Sequence, residues 1–122
     1  MLIQFCKSKI AYATITQAEL YYEGSITVDE ELLNAVTIMP GEKVEVLNVN
    51  NGSRIETYAI AGERGSGVVC LNGPAAHCGS VGDQVIILSY GLMTPEEAGL
   101  YQTRIIHVDA QNKIKSRISA HS

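Results

Sequence analysis

The sequence predicts a single, mainly β domain: a small barrel with short peripheral helices. Three observations carry this. Five β-branched or alternating runs are bounded by turn residues: 44–49, 54–61, 67–71, 84–90 and 104–108. Asn51-Gly52 stands between two of them and reads as a hairpin, because both central positions of a type I′ turn need positive φ. Finally, Gly41-Glu42-Lys43-Val44-Glu45-Val46-Leu47 is echoed by Gly82-Asp83-Gln84-Val85-Ile86-Ile87-Leu88. Two copies of one turn-then-strand unit suggest a barrel with pseudo-twofold symmetry.

The elements follow in order. An N-terminal strand carries Lys9. Thr16-x-x-Glu19 fits a helix-starting capping box. Gly24-Ser25 precedes the strand Ile26-Thr27-Val28. Asp29 caps a turn with Leu32, Leu33 and Val36, which stops before Pro40-Gly41. Thr94-x-x-Glu97 is a second capping box, with Pro95 at the first helical position. No linker or low-complexity stretch divides the chain, so residues 1–122 form one domain.

Composition narrows the function. Hydrophobic residues make up 46%, with no Trp and one Phe, so the core is aliphatic. Net charge is −4 with no basic stripe, which argues against nucleic acid. An acidic protein that takes an acidic substrate needs local cations, so individual Lys and Arg residues matter. Cys6, Cys70 and Cys78 are odd in number and lack CxxC spacing, so no disulfide framework is expected. The N-terminus has no basic segment before its apolar residues, unlike a signal peptide. The apolar run Val85 to Leu88 is too short to span a bilayer. A reduced, soluble, cytoplasmic protein is expected. His77-Cys78 suggests a metal or nucleophile pair, but adjacent strand residues point apart and no second ligand pair has zinc-like spacing. Structural burial and no metal are expected there.

The chemistry centres on Tyr22-Glu23-Gly24-Ser25, where a Gly-Ser bond ends a polar-aromatic segment. Further along come Asn50-Asn51-Gly52, Arg54, Thr57-Tyr58, Glu63-Arg64-Gly65-Ser66, Asn72-Gly73-Pro74-Ala75-Ala76-His77-Cys78 and Ser80-Val81-Gly82-Asp83. With Lys7-Ser8-Lys9-Ile10, their order and spacing resemble the pyruvoyl-dependent aspartate 1-decarboxylases over nearly the whole chain.

That resemblance implies a six-stranded double-psi β-barrel, in agreement with the internal repeat. It implies conversion of L-aspartate to β-alanine and CO₂, for pantothenate. It also implies self-cleavage between Gly24 and Ser25, giving residues 1–24 and 25–122. The Ser25 hydroxyl attacks the Gly24 carbonyl and moves the acyl group from nitrogen to oxygen. The ester then loses the Ser25 α-proton, and the resulting dehydroalanine releases ammonia to leave a covalent pyruvoyl group. Gly24 leaves its carbonyl open to attack and tolerates a strained backbone.

In the family, the position of Thr57 donates to the tetrahedral intermediate. The substrate amine forms a Schiff base with the ketone, and that of Tyr58 returns a proton to the former α-carbon. Lys9 and Arg54 match the substrate-binding cations, and which carboxylate each holds is open. Thr57, Gly73, Pro74 and Ala75 match pocket positions, with Asn72 in support. Arg54 and Tyr58 share one strand face with Glu56 and Ile60, and Thr57 faces the other way unless the strand bends. The family forms tetramers, so a homo-oligomer with pockets at subunit interfaces is implied.

Two positions depart from the family. Ala11 stands where many members carry His, and Pro74, without an amide hydrogen, stands where Ala is usual. Two alternatives stay open: a pyruvoyl decarboxylase for another amino acid such as glutamate, and an uncleaved barrel acting as a binding module.

Overall fold

The computed structural model describes residues 1–22 and 24–120. Nine strands form one continuous order: β1 (Ile3–Thr14), β2 (Gln17–Glu19), β3 (Ser25–Asp29), β4 (Lys43–Asn48), β5 (Arg54–Gly62), β6 (Val69–Asn72), β7 (Gln84–Met93), β8 (Thr103–Val108) and β9 (Ile114–Ala120). Their spatial order is β2-β6-β3-β5-β4-β7-β1-β8-β9. Only Ile15 and Thr16 separate β1 from β2, and Thr16 N–H donates to the Val69 carbonyl of β6 at 2.8 Å. The order therefore closes on itself. β1 with β2 completes a ring of six strands with β6, β3, β5, β4 and β7, as expected. The hairpin β8–β9 lies outside that ring, with β8 running parallel to β1.

The repeat is structural. Its two copies are β4 and β7, paired antiparallel with Glu45 opposite Leu88, Val46 opposite Ile87 and Leu47 opposite Ile86. Exchanging the copies maps this ladder onto itself, with the twofold at Val46–Ile87. The same exchange carries β3 onto β6, which pair antiparallel, and β5 onto β1. Parallel β3–β5 then matches parallel β6–β2. The aliphatic core includes Ile10, Ile26, Val28, Leu71, Val85 and Ile87 of the ring strands, joined by Leu32 and Leu33 of the helix after β3 and by Ile106 of β8.

Helices α1 (Glu30–Ala35) and α2 (Pro95–Leu100) begin where expected. Asp29 Oδ1 accepts from Glu31 N–H, and Thr94 with Glu97 forms a complete capping box. Three expectations are corrected. Residues 17–19 are strand β2, because the Thr16 hydroxyl accepts from Val69 N–H at 2.9 Å and helps to close the barrel. The β4–β5 hairpin exists, but only Gly52 of Asn51-Gly52 has positive φ (76°). Asn48 organises a longer loop there, its carbonyl accepting from Gly52 N–H and its side chain from Asn50 and Asn51. His77 and Cys78 lie on a 3-10 turn (Gly73–Cys78), and His77 is exposed.

Asp29 also fixes the far end of β5. Its carboxylate accepts from Gly65 N–H (2.9 Å) and Gly67 N–H (2.8 Å) as well as from the helix. Burial pushes its pKa up, but the Gly67, Gly65 and Glu31 amides, with Lys113, outweigh that and hold it below the ordinary 3.8.

Candidate active site

β3 begins at Ser25 and lies between β6 and β5. Ser25 is opposite Asn72, and the first registered pair with β5 is Ile26–Ala59, so Tyr58 is Ser25's neighbour on the other side. The Ser25 side chain is fully buried. Its Oγ accepts a hydrogen bond from Asn72 Nδ2 at 2.8 Å, and the same nitrogen donates to Thr27 Oγ1 at 2.9 Å. Asn72 is 3% exposed, and its Oδ1 accepts from the Cys70 thiol at 3.2 Å. Burial, then the nearby Glu19 carboxylate, push the Cys70 pKa up and keep the thiol protonated.

The backbone leading into Ser25 is pressed against the 3-10 turn. Gly73 has φ +65°. A Cβ there would stand 2.5 Å from the Tyr22 carbonyl oxygen and 2.9 Å from Gly24 N, so only glycine fits. Pro74 is the second residue of the turn, where its missing N–H costs nothing, and its ring lies against Gly24. Glu23 lies outside the described residues.

A cleft of about 260 Å³ opens here, lined by Gly24, Ile55, Glu56, Thr57, Pro74, Ala75 and Cys78. The burial of β5 alternates, with Arg54, Glu56 and Tyr58 exposed and Ile55, Thr57 and Ala59 turned inward. Thr57 and Tyr58 thus fall on opposite faces of an unbent strand. Cys78, for which the sequence suggested structural burial, is half-buried and lines this cleft. Its carbonyl accepts from Asn48 (3.1 Å), Asn51 (2.9 Å) and Ser53 (3.1 Å), which ties the β4–β5 loop to the end of the turn.

The two cations lie elsewhere on the outer wall. Arg54 holds Glu45 through both carboxylate oxygens, at 3.0 and 3.3 Å. Beside it Lys43 pairs with Glu56 at 2.8 Å. Lys9 is opposite Leu88, which is opposite Glu45, which is opposite Glu56. On this side of the barrel β7, β4 and β5 stand between Lys9 and β3, and Lys9 does not line the cleft. One chain gathers Gly24, Ser25, Thr57, Tyr58, Asn72, Gly73, Pro74 and Ala75, but leaves Lys9 apart and Arg54 occupied. Ala11 is buried and pairs with His107 of β8.

Among the described residues no group of His, Cys, Asp and Glu could hold a metal, and no helix is long and apolar enough to cross a membrane.

Comparison with known proteins agrees with this geometry. A family model described as aspartate decarboxylase matches residues 1–115. The aspartate 1-decarboxylase of Caldicellulosiruptor saccharolyticus is 57% identical over 93% of this chain and 89% of its own length. Those of Carboxydothermus hydrogenoformans (54%, covering 93% and 90%) and Lactiplantibacillus plantarum (52%, covering 97% and 91%) are also similar. With a closed barrel and a buried serine behind a glycine, this chain belongs to the aspartate decarboxylase family.

Proposed function

We propose that this chain cuts itself between Gly24 and Ser25, and that the product decarboxylates L-aspartate to β-alanine and CO₂. The observation that carries the first half is the burial of the Ser25 hydroxyl on Asn72, with the preceding backbone packed on Gly73. A serine free to rotate in water would make a poor intramolecular nucleophile, and one held beside the preceding carbonyl gains effective concentration. Thr57 lines the same cleft as Gly24, and its hydroxyl donates to the Gly24 carbonyl oxygen as charge develops there.

The residues fit a pyruvoyl group derived from Ser25: the side chain it replaces is buried, and Asn72 Nδ2 is a ready donor to a new oxygen. Once formed, that group supplies an electrophilic carbonyl for the substrate amine and a sink for the electrons released with CO₂. The chain supplies the rest. Tyr58, beside Ser25 on the outer face, delivers a proton to the substrate α-carbon. Arg54 exchanges Glu45 for a substrate carboxylate, to which its planar fork is suited. Lys9, which does not line the cleft of its own chain, serves the site of a neighbouring copy. The working protein is then a homo-oligomer, a tetramer with pockets between subunits, acting in the cytoplasm.

Intact-mass measurement of the purified protein tests the reading. Fragments of residues 1–24 and 25–122 are expected, the larger with a pyruvoyl N-terminus. Ser25→Ala should stay as one chain and form no β-alanine. Full activity in that variant would overturn the pyruvoyl account.

A further inference from the structure

The Asn72 carboxamide is nearly symmetric in shape, and its two ends differ only in hydrogen bonding. Neither Ser25 nor Thr27 decides which end faces Ser25, because a hydroxyl accepts or donates equally well. The group on the other side of the amide biases it, because sulfur is a poor acceptor for an amide N–H while its S–H can donate to the carboxamide oxygen. Cys70 is buried and, as a thiol, donates to Oδ1 at 3.2 Å. With Oδ1 turned to Cys70, both hydrogens of Nδ2 go to Ser25 Oγ and Thr27 Oγ1.

We infer that Cys70 is a positioning residue for maturation: it holds Asn72 with its N–H on Ser25 Oγ, the atom that becomes anionic when the ester is eliminated. This rests on the self-cleavage reading above. In the first step an Oγ–C bond forms to the Gly24 carbonyl carbon and the C–N bond between residues 24 and 25 breaks. The hydroxyl proton ends on the Ser25 amine. In the second, water acts as base and removes the Ser25 α-proton. A Cα–Cβ double bond forms, the Cβ–Oγ bond breaks, and its electron pair stays on Oγ, now an oxygen of the Gly24 carboxylate. A donor already 2.8 Å from Oγ stabilises that leaving group without reorganisation. The reversed amide would present a carbonyl oxygen to the same charge and oppose its departure. The assignment therefore concerns the second step more than the first.

The full chain carrying Cys70→Ala or Cys70→Ser is purified soon after expression and followed by mass spectrometry, with and without hydroxylamine. Hydroxylamine cleaves the ester and leaves a serine N-terminus on the larger fragment in place of pyruvoyl. Cys70→Ala should form pyruvoyl roughly tenfold more slowly, the usual worth of one hydrogen bond in a closed site, and accumulate the hydroxylamine-sensitive species. Cys70→Ser restores a donor to Oδ1, although its hydroxyl can also accept, and should recover part of the parent rate with less accumulation. The inference is overturned if Cys70→Ala yields pyruvoyl at the parent rate, or if Cys70→Ser fails as Cys70→Ala does, which would show packing to be the cause. A parent chain that never cleaves overturns the self-cleavage reading instead, so the two failures are distinct.

Discussion

Replacing Gly73 with alanine tests how tightly the structure holds the bond to be cut. Two costs fall on the new methyl group. Positive φ at 65° costs a non-glycine residue about 1–2 kcal/mol. The methyl would also sit 2.5 Å from the Tyr22 carbonyl oxygen, 2.9 Å from Gly24 N and 3.0 Å from Gly24 Cα. Ordinary contact is nearer ~3.5 Å, so the segment before Ser25 must retreat by about 0.5–1 Å. The fold absorbs the first cost, with a Tm lower by roughly 5–10 °C. The chemistry does not absorb the second. A shift of about 1 Å between attacking and attacked atoms costs on the order of 10²-fold in rate. Gly73→Ala should therefore be folded at room temperature and remain a single chain on denaturing electrophoresis long after the parent is fully cut. Near-ultraviolet circular dichroism supplies the folding control. A folded Gly73→Ala chain that matures as fast as the parent would refute the claim that this contact positions the bond.

Other perturbations separate the remaining roles. Arg54→Ala should still mature but lose roughly 2–4 kcal/mol of transition-state stabilisation in kcat/KM for aspartate, and an unchanged kcat/KM would mark Arg54 as merely the ion-pair partner of Glu45. Tyr58→Phe should mature and still be labelled on the larger fragment by aspartate with borohydride, while β-alanine formation falls by about 10²-fold or more. Normal turnover in that variant would assign the proton to another donor. For Asp29 the folded pKa lies below the ordinary 3.8, so its contribution is complete above 3.8 and lost as pH falls through the folded value. Asp29→Asn should cost about 2 kcal/mol at neutral pH, and less and less in urea unfolding as pH drops below 3.8. A constant difference between parent and variant across that range would contradict the linkage.

Much of this was legible in the sequence, for identifiable reasons. Gly41 to Leu47 and Gly82 to Leu88 read as a repeat because each pairs a turn glycine with a half-buried strand, and the structure puts those strands together across a twofold. The alternation of 54–60 placed Arg54 and Tyr58 on one face and Thr57 on the other, because a strand has period two. Thr16-x-x-Glu19 misled because a capping box is a local signal. Thr16 spends its hydroxyl on Val69, a partner 53 residues away. Strand β9 escaped notice because Lys115, Ser116 and Arg117 break its apolar pattern, as suits an exposed edge. The Cys70–Asn72 contact was invisible for a related reason. Alternate positions on β6 share a face, but nothing local says that this face covers Ser25.

The placement of the site residues argues for a division of labour across strand β5. Its inward face carries Thr57 beside Gly24, in the cleft where a carbonyl must be polarised once in the life of the molecule. Its outward face carries Arg54 and Tyr58, where substrate must arrive and product leave at every turnover. Ser25 connects the two, because β3 runs next to β5 and places it beside Tyr58 in sheet order while its bond to Gly24 faces the cleft. A single barrel leaves that outer wall open: Tyr58, Tyr90 and Leu92 are 39%, 42% and 67% exposed. Decarboxylation through an electron sink gains from exclusion of water, and an open wall cannot exclude it. On the proposed reading, a second copy against this face closes the pocket, covers the exposed rings and supplies its Lys9. One chain, so read, holds the groups for maturation, and catalysis needs a neighbouring copy to complete the pocket. That is the arrangement expected when the first reaction happens once inside a subunit and the second recurs between subunits.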